Sequence, residues 1–119
     1  IAGGIGITPY LSIIRDRLHN KQPINTTLLY AGKNEKRPFV EELHNAVKID
    51  PTLKIKDYSE TRLTLKQLKK DVPNVEHYVV YLAGSQAFSE ALGEGLIADG
   101  FPRQQIKYDY FDGYVDLEY

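Results

Sequence analysis

Short apolar segments alternate with longer amphipathic segments along the whole chain, and this alternation limits the fold more than any other feature. The apolar segments predict five strands, at residues 1–2, 26–31, 53–57, 77–83 and 106–111. Segments with apolar residues at helical spacing separate them and predict four helices. Strands that alternate with helices through short loops form a parallel sheet with helices on both faces. The sequence therefore predicts an α/β domain with three layers, α/β/α, built on a five-stranded parallel sheet.

Proline, glycine and hydroxyl side chains mark the ends of the predicted helices. Thr8 before Pro9 predicts a hydroxyl cap, followed by proline where no backbone donor is needed. Pro38 is predicted to open the second helix, Thr64 to cap the third, and Gly100 to end the fourth. The apolar faces predicted for the four helices carry, in chain order, Leu11, Ile14 and Leu18; Phe39, Leu43 and Val47; Leu65 and Leu68; and Phe88, Ala91, Leu92 and Leu96.

Composition excludes several classes of function. The chain has 119 residues, enough for one domain, and its net charge of −1 gives no reason to expect a nucleic acid or an anionic membrane as partner. It has no Cys, which excludes disulfides and thiolate metal sites and fits a cytoplasmic location or the cytoplasmic face of a membrane protein. His19, His44 and His77 lie at no metal-ligand spacing, so no metal site is predicted. The chain has no Met, and we expect residues 1–119 to be one domain excised from a larger protein.

The first predicted strand runs into a glycine-rich turn, residues 3–9, called the first turn below. Gly3, Gly4, Ile5 and Gly6 precede Thr8 and Pro9. Glycines let a pyrophosphate approach the backbone, and a helix N-terminus offers free N–H groups and a partial positive charge. The alternative is a tight turn that binds nothing, because the usual third glycine of a dinucleotide fingerprint is absent. Under the ligand reading, Gly6→Val is expected to abolish nucleotide binding without unfolding the domain.

A second turn of small residues, at residues 83–88, follows the fourth predicted strand and is called the second turn below. Ala83, Gly84 and Ser85 lead into a helix that carries Phe88 in its first turn. Because the carboxyl ends of parallel strands meet at one edge of the sheet, this turn is expected to line the same crevice as the first turn. The alternative is a hydroxyl-capped helix after a buried strand, with no ligand.

Taken in order, these segments resemble the nucleotide-binding domain of the ferredoxin–NADP reductase superfamily over nearly the whole chain. The family patterns are a G-x-G-x-T/S-P turn, a strand ending in an aromatic and glycine, an F-x-x-E-L helix, a C-G-P-x-x-M/F turn, a G-[VF]-P-x-x-x-I segment and an acidic-x-aromatic strand. The matching residues are, in chain order, Gly4, Gly6, Thr8 and Pro9; Tyr30-Ala31-Gly32; Phe39-Val40-Glu41-Glu42-Leu43; Ala83-Gly84-Ser85 with Phe88; and Gly100-Phe101-Pro102, Ile106, Asp109 and Phe111.

The resemblance implies a function, and the departures from it qualify that function. It implies that NAD or NADP binds to residues 3–9 and 83–88 of this domain, and that FAD or FMN binds to a separate barrel domain of the same polypeptide. That barrel and most of the first strand are absent from the sequence. Ala83 stands where the family has a cysteine near the nicotinamide, and Ser85 stands where it has proline. These changes imply altered placement of the nicotinamide.

Two further contacts are implied by the resemblance. Family members specific for NADP carry Ser-Arg after the third strand, whereas this chain has Ser59 and Glu60, with Arg62 nearby. The carboxylate of Glu60 would repel the 2′-phosphate of NADP, and this favours NAD slightly. The cations Lys33, Lys36, Arg37 and Arg62 would attract that phosphate and favour NADP. The alternative is that all five side chains are solvated loop charges that contact no nucleotide. Near the chain end, Phe111 matches the aromatic that packs on the flavin, with an ordinary core aromatic as the alternative.

Two functions follow from the sequence. In the first, the parent protein is an NAD(P)H-dependent flavin oxidoreductase that passes electrons to an acceptor the sequence does not identify, and this domain binds the donor but is inactive alone. No catalytic side chain is predicted, because placing the donor against the flavin needs no general base. In the second, the domain is a non-catalytic nucleotide-binding or regulatory module on the same fold.

Overall fold

Five parallel strands form one sheet in the computed structural model, which describes residues 1–32, 39–58 and 63–110, without the side chains of Ile5, Asp109 and Tyr110. The strands are β1 (Ala2–Gly3), β2 (Thr26–Ala31), β3 (Leu53–Tyr58), β4 (Val80–Gly84) and β5 (Ile106–Tyr110). Their spatial order is β3-β2-β1-β4-β5, and every neighbouring pair is parallel. The predicted five-stranded parallel sheet is therefore confirmed.

Helices cover both faces of this sheet. They are α1 (Thr8–His19), α2 (Val40–Ile49), α3 (Leu65–Asp71) and α4 (Gln86–Ala98). In β2, Leu28 and Tyr30 pack in the core cluster of α1 and α2, whereas Leu29 and Ala31 pack in the cluster that contains residues of α3 and α4. This alternation is the two-residue period of a strand buried on both faces. The predicted α/β/α layers are confirmed.

The chain order of the strands reverses at the centre of the sheet. From β1 the chain moves outward to β2 and β3, and it then crosses back to place β4 on the other side of β1. Ala2 of β1 pairs with both Tyr30 and Ala83. In open parallel sheets such a reversal leaves a crevice at the carboxyl ends of the two diverging strands, here β1 and β4.

The fourth strand begins later than its sequence indicates. Residues 77–83 were predicted to be extended, but Val75–His77 forms a short 3-10 helix and β4 begins at Val80. Val80 pairs with Ile106, the first residue of β5, so Tyr78 and Val79 have no strand partner on that side, where the Tyr78 carbonyl accepts only a side-chain hydrogen bond from Gln105. The β propensity of Tyr78 and Val79 is not enough to form a strand without that partner.

Two of the predicted helix starts are wrong. The N-cap of α1 is Ile7, whose backbone is helical, and Thr8 is already the first residue of the helix. The N-cap of α2 is Phe39 in a left-handed conformation (φ 68°), and its side chain is 44% exposed rather than on the buried face. Pro38 lies outside the described residues. The cap predicted for α3 is confirmed, because the Thr64 hydroxyl accepts a hydrogen bond from the backbone N–H of Gln67 at 3.1 Å.

The buried face of α4 differs from its predicted apolar face. Ala91 is exposed, while Ser89 and Gly93 are buried with Leu92 and Leu96. A Cβ on Gly93 would lie 2.0 Å from the hydroxyl oxygen of Tyr108, so the tyrosine of β5 packs directly on this glycine. Ser89 and Gly93 add little hydrophobicity to the sequence pattern. For that reason the pattern predicted a buried face that includes Ala91 and omits these two residues.

No helix in the described ranges is long and apolar enough to cross a membrane.

Candidate nucleotide-binding site

The first turn brings β1 into α1 through a short 3-10 helix, Gly4–Ile7. Gly4 has a φ of 56°, a conformation that glycine adopts without steric cost. Ile7 is fully buried and anchors the turn in the core between the sheet and α1. The first N–H groups of a helical segment have no acceptor within it. The turn therefore presents backbone donors at the carboxyl edge of the sheet without using a side-chain cap.

Gly6 fits the first turn against the end of β4. A Cβ at this position would lie 2.4 Å from the carbonyl oxygen of Ala83 and 2.7 Å from the backbone nitrogen of Gly84. Both are backbone atoms that cannot rotate away, so any side chain must push the two turns apart. The expectation that Gly6→Val leaves the fold intact is therefore wrong. This glycine is required for packing whether or not a ligand binds nearby.

The second turn carries its own cap. Ser85 is the N-cap of α4, and its hydroxyl accepts a hydrogen bond from the backbone N–H of Phe88 at 3.2 Å. The hydroxyl cap considered for this turn is thus present. Ser85 is buried, and the N–H groups of Gln86 and Ala87 have no acceptor within the helix. Donors of this kind can bind an anionic ligand at the helix end.

The two side chains expected on the nicotinamide side are both held in the core. Ala83 is fully buried, and Phe88 packs partly against the core cluster of the α3–α4 face. Phe88 as a whole residue is only partly buried. Contact of either residue with a cofactor stays a prediction.

The electrostatics of this edge favour an anion. Neither turn contains an ionisable side chain, as the sequence itself shows. The N-termini of α1, with 12 residues, and α4, with 13 residues, both begin at the carboxyl edge and contribute partial positive charge. A pyrophosphate beside the two turns would meet backbone donors, and neither turn itself contributes a carboxylate. The described residues hold no cluster of three or more His, Asp or Glu side chains that could bind a metal.

The far end of the crevice begins where β3 ends, two strands from β1. Tyr58, its last residue, donates a hydrogen bond from its hydroxyl to the Asp71 carboxylate at 2.5 Å, and Gln67 donates to the same carboxylate at 3.0 Å. Burial, and then the bond to Asp71, raise the pKa of Tyr58. The hydrogen bonds from Tyr58 and Gln67 lower the pKa of Asp71, so it stays ionised.

The hydrogen bonds from Tyr58 and Gln67 to the Asp71 carboxylate of α3 were not predicted from the sequence. Tyr58 and Asp71 are 13 positions apart, and only the spacing of four between Gln67 and Asp71 on a helix could have indicated one of them. Ser59, Glu60, Arg62 and Phe111, predicted to contact the cofactors, lie outside the described residues, as do Lys33, Lys36 and Arg37. The structure thus brings together the first and second turns and fixes where the segment carrying Glu60 begins.

A family model described as the oxidoreductase NAD-binding domain matches residues 1–94, most of the chain. The chain belongs to the oxidoreductase NAD-binding domain family. The resemblance to ferredoxin–NADP reductases is confirmed by this match and by the proteins that share the fold.

Relatives of this oxidoreductase NAD-binding domain are flavoproteins and haem proteins by name. Flavohemoprotein A of Dictyostelium discoideum is 29% identical over 116 residues, which cover 93% of this chain and 29% of that protein. A flavohemoglobin of Malassezia yamatoensis with bound FAD and heme has a TM-score of 0.71 at 21% identity, over 92% of this chain and 30% of that one. A ferredoxin reductase in carbazole 1,9a-dioxygenase has a TM-score of 0.65 at 22% identity, over 92% and 34%. The domain spans about a third of the length of these proteins.

Proposed function

We propose that this domain binds the nicotinamide dinucleotide of a flavin-dependent reductase and orients it for hydride transfer. The observation that carries the proposal is the close approach of two turns at the chain reversal, where Gly6 lies directly against the carbonyl of Ala83. Together they bring the N-termini of α1 and α4 to one edge of the sheet. The pyrophosphate would lie against the backbone of residues 3–8, at a helix start that has no side-chain cap.

The order of the strands orients the rest of the dinucleotide. β3, two strands from β1, ends in Tyr58 and leads into Ser59, Glu60 and Arg62, so the adenosine ribose would lie on this side. β4 is the neighbour of β1 on the other side, so the nicotinamide would lie beside Ala83, Gly84, Ser85 and Phe88. From β3 to β4 is three strand spacings, ~14 Å. An extended dinucleotide can bridge that distance.

A flavin, FAD or FMN, on another domain of the same polypeptide would supply the redox chemistry. The residues of this chain bind and position the donor, and none of them has to transfer a proton. In this arrangement catalysis comes from the placement of the nicotinamide against the flavin. The relative from Malassezia yamatoensis, solved with bound FAD, supports a flavin as the partner cofactor.

We further propose that NADH is the preferred donor. Glu60 would stand close to the ribose and would repel a 2′-phosphate. Asp71 stays ionised beside Tyr58, at the point where this segment begins, but Lys56 and Lys70 act on the same carboxylate, so its charge adds little to the preference. Arg62 has the opposite effect, so the preference is expected to be modest.

Titration of the isotopically labelled domain with NADH, followed by NMR of the backbone amides, tests the site. The largest shifts are expected at residues 3–8 and 84–88. ADP-ribose, which lacks the nicotinamide, should reproduce the shifts of the first turn and reduce those of the second turn. Residues 26–28, at the amino edge of the sheet, serve as the internal control and should not shift. Shifts confined to residues away from both turns would refute the site.

A non-catalytic binding module would show the same titration. The two functions separate in the intact parent protein, where mixing with NADH under anaerobic conditions should bleach the flavin absorbance if the domain serves a reductase. Tight binding of NADH with no bleaching would favour the regulatory module.

A further inference from the structure

The carboxyl end of β3 is joined to α3 through a single carboxylate oxygen. Tyr58, the last residue of β3, is buried, and its hydroxyl donates to Asp71 Oδ2 at 2.5 Å. The side chain of Gln67, one turn earlier in the helix, donates to the same oxygen at 3.0 Å. Asp71 is the last residue of α3 and is only partly buried. One atom of the helix therefore holds the end of the strand.

A second link leads from Gln67 to the start of α3. The backbone N–H of Gln67 donates to the hydroxyl of Thr64, the N-cap, at 3.1 Å. Leu63, the residue before the cap, is buried in the same core cluster as Tyr58. The hydrogen bonds centred on Asp71 thus connect the point where the chain leaves β3 with the point where it enters α3. The residues proposed to contact the ribose lie between these two points in the sequence.

β3 needs this support more than the inner strands do. It lies at the edge of the five-stranded sheet, with β2 as its neighbour, and the last pair of their ladder is Ala31 with Tyr58. The end of an edge strand opens more easily than a central strand, because fewer contacts hold it. A binding site keeps its geometry only when the residues behind it are fixed by packing and hydrogen bonds. The Asp71 carboxylate provides both hydrogen-bonding partners of that kind at this point.

We propose that Asp71 is a positioning residue for the adenosine half of the dinucleotide, acting through Tyr58 and the end of β3. The inference rests on the proposed function, which places the adenosine ribose on this side of the crevice. Position rather than charge carries the effect, because Lys56 and Lys70 act on the same carboxylate and offset its charge. Both hydrogen bonds end on one oxygen, so an amide carbonyl at position 71 could accept both.

The affinity of the chain for ADP-ribose, measured by isothermal titration calorimetry, tests this role, because ADP-ribose carries the adenosine half without the nicotinamide. We expect Asp71→Ala and Tyr58→Phe each to weaken ADP-ribose binding about fivefold. The double variant should bind within about twofold of either single variant, since both changes remove the same hydrogen bond. Asp71→Asn keeps the acceptor oxygen and should bind within about twofold of the unchanged chain.

Asp50→Ala is the matched control for a general loss of stability. The Asp50 carboxylate accepts from the backbone N–H of Ile24 at 2.8 Å and from that of Thr52 at 3.0 Å, so it also joins two parts of the chain, but at the amino edge of the sheet. This variant should lower the urea midpoint, as Asp71→Ala does, and leave the affinity for ADP-ribose unchanged. An equal loss of affinity in the two variants would overturn the positioning role.

The remaining outcomes separate this inference from the proposed function. If the unchanged chain binds no ADP-ribose, the proposed function is wrong and the positioning role is wrong with it. If the unchanged chain binds ADP-ribose, and Asp71→Ala and Tyr58→Phe bind it equally well, only the positioning role is overturned. A loss in Asp71→Asn as large as in Asp71→Ala would also overturn it, because charge would then carry the effect. Should Asp71→Ala fail to fold, Tyr58→Phe, which keeps the buried ring, decides the question.

Discussion

The first and second turns occupy equivalent places at the ends of neighbouring strands, but they begin their helices in different ways. The first turn uses glycine and a short 3-10 helix, with Ile7 as an N-cap that offers no side-chain bond. The second turn uses Ser85, whose buried hydroxyl caps the N–H of Phe88. The first turn therefore uses no side-chain cap, whereas the second turn satisfies one backbone donor with its own hydroxyl. The difference suits a pyrophosphate at the first turn and a less charged nicotinamide at the second.

Gly6→Ala should break the contact between the turns and have the largest effect. The new Cβ would lie 2.4 Å from the carbonyl oxygen of Ala83, so the backbone must move. We expect a loss of ~3 kcal/mol or more in the free energy of unfolding, measured with urea. Gly95→Ala is the matched control, because its Cβ would meet only the flexible end of Leu65 at 3.1 Å. Equal stability of the two variants would mean that the turns are not in close contact.

Glu60→Arg tests whether residues outside the first and second turns determine the preference between NADH and NADPH. Replacing the carboxylate by a cation near the ribose should raise the preference for NADPH over NADH about tenfold, equivalent to ~1.4 kcal/mol. The ratio of the two dissociation constants measures it. Glu76→Arg makes the same charge change in the 3-10 helix before β4 and should leave the ratio unchanged. A similar shift in both variants would point to overall charge rather than a ribose contact.

Ser85→Ala should cost stability more than affinity. Its hydroxyl is used to cap α4, so we expect a loss of ~1 kcal/mol in the free energy of unfolding. Thr64→Ala removes the equivalent cap of α3 and should cost about the same. A fall of about tenfold in the affinity for NADH with unchanged stability would instead mean that Ser85 contacts the nucleotide directly.

Ala83→Cys should have the smallest effect and concerns the second turn alone. In the proposed flavin-containing parent protein it introduces the cysteine that the family resemblance implies beside the nicotinamide, and flavin reduction should become severalfold faster, since ~1.4 kcal/mol of barrier is tenfold. Stopped-flow bleaching of the flavin measures this rate. Ala87→Cys places a thiol on an exposed position of the same turn and should not change it. Because Ala83 is fully buried, unfolding in urea is measured alongside. An unchanged or slower rate in a stable variant would make Ala83 a packing residue only.

Local sequence patterns predicted most of the fold correctly. The period of two in β2, the helical spacing of Leu11 and Ile14, and the hydroxyl of Thr64 each act within a few residues of the chain. The parallel sheet then follows from the alternation of elements, because a strand–helix–strand unit has few ways to pack. The resemblance to the reductase family rested on the same local segments, and the family match confirmed it.

The sequence by itself determined the α/β class, the two turns and the family, because periodicity and turn chemistry are properties of neighbouring residues. Only the tertiary structure decided that β4 begins at Val80, where its partner begins, and that Phe39 is exposed rather than in the core. It also decided that Gly6 is needed for packing, because its neighbour is Ala83, far along the chain. Contacts between distant residues depend on how whole elements pack, and no local pattern encodes that packing.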